Sequence, residues 1–309
     1  MKHFIDTKDL TKEQIDDLLR LSEVVATNPR EFESKLKGRV IATIFFEPST
    51  RTRLSFESAI ARLGASNISV ENANESSSAG KKGESIEDTI KMLCGYADAI
   101  VMRHPDNDSA RRAVAVSSVP FVNGGSGSFA HPSQSLLDAY TIWKHRGSLD
   151  NVKIAVCGDL KFGRTANSLI KLLSKYNNTQ VWCLSNKGME FTDEVFDFMK
   201  QNNIPYTMCK GFADIPADVD VIYQTRFQKE RAGEISTKDF VDLTITNKVM
   251  ERFGPKTIVL HPLPRVDEIA TEFDSDPRAM YFQQAANGIP TRMAILVSLL
   301  CNDKVKSEK

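Results

Sequence analysis

Val40-Ile41-Ala42-Thr43-Ile44-Phe45-Phe46-Glu47-Pro48-Ser49-Thr50-Arg51-Thr52-Arg53 is the stretch on which the fold turns. Its first seven residues are apolar or β-branched, which predicts a buried strand, and Pro48 stops it. Ser49 then offers a side-chain cap to a helix carrying Leu54, Phe56, Ile60 and Leu63, with Gly64 placed to end it. Three hydroxyls, two guanidinium groups and the first-turn amides therefore meet at one helix N-terminus. That set suits a phosphate, because dipole and N–H groups favour an anion and arginine forks match its oxygens. A capped surface helix with solvated arginines is the alternative for these residues taken alone.

Working outward, strand-like and helix-like segments alternate twice over. The first half offers strands at Val40–Phe46, Ser66–Val70, Ala99–Met102 and Val119–Val122. The second offers Lys153–Cys157, Gln180–Leu184, a piece near Tyr206, Val219–Gln224 and Thr257–Leu260. Two short helices are expected within residues 1 to 37, and a joining helix over Gln134–His145. A last helix, about Pro290–Cys301, has no strand of its own and is expected to return to the first half. This alternation predicts an α/β protein of two doubly wound parallel-sheet domains facing across a cleft and joined by two interdomain helices. The expected division is residues 1–133 plus 286–309, and residues 134–285.

Ligands of open parallel sheets gather beyond the carboxyl ends of the strands. The polar clusters fall there: Ser49 to Thr52, Arg103-His104-Pro105, His131-Pro132-Ser133-Gln134, Arg164, Arg226 with Gln228, and His261-Pro262-Leu263-Pro264-Arg265. Arg51 and Arg103 suit a phosphate; Arg164 and Arg226 with Gln228 suit carboxylates, structural salt bridges being the alternative. A neutral His131 can donate to a carbonyl oxygen and stabilise an oxyanion, helped by Arg103 and the Thr52 hydroxyl. The loop Glu75 to Gly83 reads as a lid over an anion or as a plain solvated loop.

Composition excludes several classes. The chain has 309 residues, 41% hydrophobic, with 40 basic and 40 acidic side chains, so no global field draws nucleic acid or an anionic membrane. No apolar run is long enough to span a bilayer, and the first residues lack a signal peptide's apolar core. Five cysteines form no close pair and the five histidines lack ligand spacing, which predicts a reduced, cytoplasmic, metal-free protein needing no cofactor. Gly158-Asp159-Leu160-Lys161-Phe162-Gly163 lacks the second glycine of a dinucleotide turn, and Gly80 to Gly83 lacks P-loop spacing.

Together, Ser49-Thr50-Arg51-Thr52-Arg53, Arg103-His104-Pro105, His131-Pro132-Ser133-Gln134, Gly158 to Thr165, Gln228 to Arg231 and His261 to Glu268 resemble the catalytic chain of the aspartate carbamoyltransferase family, over about residues 3 to 302. The resemblance implies carbamoyl transfer from carbamoyl phosphate to L-aspartate in pyrimidine synthesis. It implies that Ser49, Thr50, Arg51, Thr52 and Arg103 bind phosphate, and that His131, Gln134 and the Pro262 and Leu263 carbonyls hold the carbamoyl group. Lys82, Arg164, Thr165, Arg226 and Gln228 would bind aspartate. It further implies a homotrimer in which Ser78 and Lys82 enter a neighbour's site, with Lys82 among the catalytic groups beside Thr52, Arg103 and His131. Some family members add a separate regulatory chain; Asp106–Arg112 is a candidate docking surface or an ordinary polar segment. Ornithine carbamoyltransferase shares the Ser-Thr-Arg-Thr cradle, but its usual His-Cys-Leu-Pro motif is His261-Pro262-Leu263-Pro264 here. A silent metabolite-binding scaffold is the remaining alternative, and no ligand position has been lost to favour it.

Overall fold

In the computed structural model, which describes residues 1–73, 83–127, 130–228 and 240–301, the chain divides into Met1–Leu136 with Asn287–Lys309, and Leu137–Ala286. The first unit runs α1 (Lys12–Thr27), β1 (Val40–Phe45), α2 (Thr50–Arg62), β2 (Ser66–Val70), α3 (Ile86–Cys94), β3 (Ala99–His104), α4 (Ser109–Val116) and β4 (Phe121–Ser126). The chain enters the second unit within α5 (Pro132–Arg146). It continues through β5 (Lys153–Cys157), α6 (Arg164–Leu173), β6 (Gln180–Leu184), α7 (Asp193–Gln201), β7 (Tyr206–Cys209), β8 (Val221–Gln224), α8 (Asn247–Met250) and β9 (Ile258–Leu260), and leaves within α9 (Tyr281–Leu300).

Each unit is a parallel-sheet α/β domain, with strand orders β2-β1-β3-β4 and β7-β6-β5-β8-β9. Ile41 is paired with Asn67 on one side and Ala99 on the other; Ile154 likewise sits between Val181 and Val221. The central strands are Val/Ile-rich and buried at almost every position, as strands covered on both faces are. Ala42, Ile44, Ile100, Met102 and Phe121 join Ile90 and Leu93 of α3 in one buried cluster. Fully burying a side chain such as Ile90 contributes about 1.5–3 kcal/mol. In the second unit Ala155, Ile222 and Val259 pack with Met250, Phe253 and Phe273.

Both sheets reverse direction at a central strand. The chain steps from β1 outward to β2 and returns on the other side as β3; it steps from β5 to β6 and β7 and returns as β8. The forks between β1 and β3, and between β5 and β8, are the topological switch points.

Several boundaries differ from the sequence expectation. Residues 1 to 37 form one 16-residue helix, α1, flanked by 3-10 turns, rather than two short helices; its Thr11–Gln14 capping box and buried Ile15, Leu18 and Leu19 match the pattern read there. Arg103 and His104 close β3 instead of following it. β4 runs past Val122 through Asn123-Gly124-Gly125-Ser126: a Cβ on Gly124 would lie 3.2 Å from the Met102 carbonyl, so glycine permits that close pairing. α9 starts at Tyr281, leaving Pro290 inside it. Its first half escaped notice because two of its buried positions, Gln284 and Asn287, are polar.

Candidate active site

In the first unit the β1–β3 fork opens onto the start of α2. Ser49 is the N-cap, followed by Thr50, Arg51 and Thr52 in the first turn. Contrary to expectation, the Ser49 side chain makes no cap hydrogen bond. A helix start without its own side-chain oxygen favours an external anion. The two arginines also separate. Arg51 is exposed on the first turn, whereas Arg53 is half-buried and paired with Glu57 at 3.4 Å and Glu71 at 2.8 Å.

Thr52 is buried, and its Oγ1 shares a 3.3 Å hydrogen bond with Nε2 of buried His131. His131 lies just ahead of α5, and its carbonyl accepts the Gln134 N–H at 3.0 Å. Arg103 donates from Nε and a terminal nitrogen to Glu47 Oε1, both at 2.7 Å. That charge-assisted pair fixes the plane of the guanidinium. A register shift between Met102 and His104 accompanies this placement, and irregularities of that kind re-aim side chains. Gly125, at φ +128°, lies alongside the Arg103 side chain.

In the second unit the β5–β8 fork is tighter. Gly158 has φ +101°, and a Cβ there would stand 2.3 Å from the Thr225 carbonyl, so only glycine lets the two strand ends meet. Thr225 Oγ1 donates to the carbonyls of Cys157 (2.9 Å) and Asp159 (3.1 Å). The Asp159 carboxylate accepts the Phe162 N–H at 2.9 Å and the Gln228 N–H at 3.0 Å. Asp159 thus ties the turn before Arg164 to the segment carrying Arg226 and Gln228. Burial raises its carboxyl above the ordinary value, opposed by those N–H groups and by the Arg226 charge. Arg164 and Thr165 open α6 behind Gly163, where no side chain caps the helix. Arg164, Arg226 and Gln228 are all half-buried.

β9 exits into the Pro262–Leu263 turn, where Leu263 holds φ +54°. His261 braces it. Its Nδ1 accepts the Leu263 N–H at 2.8 Å, which leaves Nε2 to donate to Glu268 Oε1 at 2.7 Å. Glu268 Oε2 accepts the Val266 and Asp267 N–H groups at 3.1 and 3.2 Å. Burial works to raise the Glu268 carboxyl, but the His261 hydrogen bond and the backbone N–H groups outweigh it and hold it below the usual 4.5. A folded-state value below the unfolded one contributes stability at neutral pH that is lost as pH falls through the carboxylate range. Between about pH 7 and about pH 4, the Tm of the parent chain is therefore expected to fall further than that of Glu268→Gln. Equal slopes by calorimetry would remove Glu268 as a stabiliser of this turn.

Ser78 and Lys82 lie outside the described residues, as do the Glu75–Lys82 part of the lid sequence and Lys229 to Arg231. Glu47, Asp159 and Glu268 are not among the residues the sequence motifs single out, although each lies within or beside one; the available signal was an acid set next to an arginine or histidine cluster. Among the described residues no group of three or more His, Cys, Asp or Glu side chains is placed to hold a metal ion, and no helix is long and apolar enough to cross a membrane.

The family model for the aspartate/ornithine carbamoyltransferase carbamoyl-P binding domain matches residues 2–144, and that for the Asp/Orn binding domain matches residues 150–299. The chain belongs to the aspartate/ornithine carbamoyltransferase family. It is 43% identical over 303 residues to the aspartate carbamoyltransferase catalytic subunit of Finegoldia magna, covering 97% of this chain and 98% of that one. The catalytic subunit of aspartate transcarbamoylase from M. jannaschii superposes with a TM-score of 0.91 at 42% identity, covering 99% of this chain and 100% of that one. Aspartate transcarbamoylase from Trypanosoma cruzi, solved with carbamoyl aspartate and phosphate, gives a TM-score of 0.87 at 37% identity, over 97% and 96% of the two chains.

Proposed function

We propose that this chain transfers the carbamoyl group from carbamoyl phosphate to the α-amine of L-aspartate. The products are N-carbamoyl-L-aspartate and phosphate, the committed step of de novo pyrimidine synthesis. The observation that carries the reading is the buried Thr52–His131 pair at the uncapped start of α2, in the unit where Arg103 closes the neighbouring strand. Ser49, Thr50, Arg51, Thr52 and Arg103 hold the phosphate. His131, Gln134 and the carbonyls of Pro262 and Leu263 hold the carbamoyl group. Arg164, Thr165, Arg226 and Gln228 bind aspartate, whose two carboxylates match two guanidinium forks.

The amine attacks the carbamoyl carbon directly. As the C–N bond forms, charge builds on the carbonyl oxygen, where Thr52, Arg103 and His131 stabilise it. The C–O bond to phosphate then breaks, and the departing phosphate takes the amine proton. The leaving group supplies the base, so no strong protein base is required. Holding both substrates in register converts an encounter of two molecules into a near-intramolecular step.

The active form in this proposal is a cytoplasmic homotrimer, with Ser78 and Lys82 completing a neighbour's site. β2 is the edge of its sheet, and Ser66 to Ser69 are exposed along it. Ile68 on that edge and Leu54 on α2 are exposed apolar side chains. An uncovered edge strand with apolar neighbours is a surface that pairing with a second copy would protect. Burial pushes Cys183 up to about 12 and Cys209 to about 11, leaving both thiols inert at neutral pH.

Incubation with carbamoyl phosphate and either L-aspartate or L-ornithine, with quantification of the ureido product, tests the reading. Product with aspartate alone is expected. Product with ornithine alone would mean that Arg164 and Arg226 do not select the acceptor, and silence with both in a folded trimer would leave a scaffold.

A further inference from the structure

The Pro262–Leu263 turn is backed by a buried chain of hydrogen bonds whose ends lie far apart in sequence. Asp138 on α5 accepts from Tyr223 Oη at 2.8 Å and from Gln284 Nε2 on α9 at 2.6 Å. Gln284 Oε1 accepts the His261 N–H at 2.8 Å, and His261 Nδ1 accepts the Leu263 N–H. Asp138, Tyr223, His261 and Gln284 are each no more than 1% exposed. The chain has a single polarity. A carboxylate accepts only, so the Gln284 amide must present its nitrogen to Asp138 and its oxygen to His261. Tyr223 strengthens that choice: burial and the Asp138 charge push its phenol well above its usual value, so it stays a donor.

At the far end, Leu263 holds a left-handed backbone conformation, which a non-glycine residue keeps only where its surroundings over-determine it. The His261 ring grips the Leu263 N–H, while the His261 backbone is itself held by Gln284. We propose that Asp138 and Gln284 are positioning residues that aim the Pro262 and Leu263 carbonyls, and so set the preference for a carbamoyl amide over a bare phosphate. This rests on the function proposed above, in which those carbonyls accept from the carbamoyl NH2 group. None of the four buried residues other than His261 lies in a strand-exit motif, and none is assigned contact with substrate.

Titration calorimetry with two probes separates this role from plain stability. Phosphonoacetamide keeps the amide of carbamoyl phosphate and carries a phosphonate in place of its phosphate; inorganic phosphate keeps only the anion. The parent chain is expected to prefer phosphonoacetamide. Gln284→Met, which severs both links, is expected to lose about tenfold of that preference through weaker phosphonoacetamide binding, with phosphate affinity within about twofold. The double variant D138N/Q284E rebuilds the chain with the 138–284 link reversed: a carboxylate at 284 still accepts from the His261 N–H and now also accepts from an amide at 138. It is expected to restore the preference to within about threefold. A folded Q284M that keeps the full preference, or a folded double variant that does not regain it, overturns the proposal while leaving the carbamoyl reading intact. A parent chain without any preference removes that reading and the proposal with it. If Q284M does not fold, Tyr223→Phe, which takes one donor from Asp138, carries the test with about a threefold loss expected; an unchanged preference there overturns it.

Discussion

Replacing Arg51 by alanine is expected to lower kcat by about 10²–10³-fold or more, with circular dichroism and Tm close to the parent chain. Arg51 is exposed on the first turn of α2, so its removal opens no cavity in the core. In the proposed phosphate cradle its work would fall at the moment when charge develops on the leaving group, where a guanidinium at an uncapped helix start stabilises that charge most in the transition state. Arg53, two residues on, is the internal control. It is bound to Glu57 and Glu71, so Arg53→Ala is expected to lower Tm while leaving the kcat of folded enzyme within about tenfold. Near-normal turnover by Arg51→Ala would take the residue out of the phosphate cradle.

Replacing Arg226 by alanine is expected to raise the KM for aspartate by about 10²-fold, with a smaller change in the KM for carbamoyl phosphate. Truncating one partner of a hydrogen-bonded charge pair in a desolvated site costs about 2–5 kcal/mol, much of it from the charge left unpaired. A second effect acts in the same direction. The Arg226 charge helps hold down the buried Asp159 carboxyl, which positions the Gln228 N–H. Without it, Asp159 binds a proton more readily, and one acceptor of the loop weakens. Arg226→Lys keeps the charge but not the planar fork, and is expected to recover only part of the loss. Steady-state kinetics with each substrate varied in turn distinguishes the outcomes; an unchanged aspartate KM would return Arg226 to a purely structural role.

The periodicity of the chain was sufficient to read the architecture, because parallel strands buried on both faces appear as continuous Val/Ile runs and amphipathic helices as 3.6-residue repeats. Val40 to Phe45, Lys153 to Cys157 and Gln180 to Leu184 stood out for that reason. Where packing required polar or glycine residues inside an element, the pattern broke. β4 carries Asn123 and two glycines where it closes on β3, and the first half of α9 buries Gln284 and Asn287. Both were read short or displaced.

The candidate site divides along the same line. Residue type and strand–helix alternation were enough to say which groups are present and near which strand ends they stand: arginines for phosphate and carboxylates, a histidine for an oxyanion. Only the tertiary structure decided how each is held. It separated Arg51 from Arg53, set Glu47 against Arg103, joined Thr52 to His131 across 79 residues, and put Asp138 behind Gln284 across 146. The physical reason is that a hydrogen bond or ion pair acts only within about 3–4 Å. Separation along the chain carries no information about such a distance once the backbone has turned through a sheet.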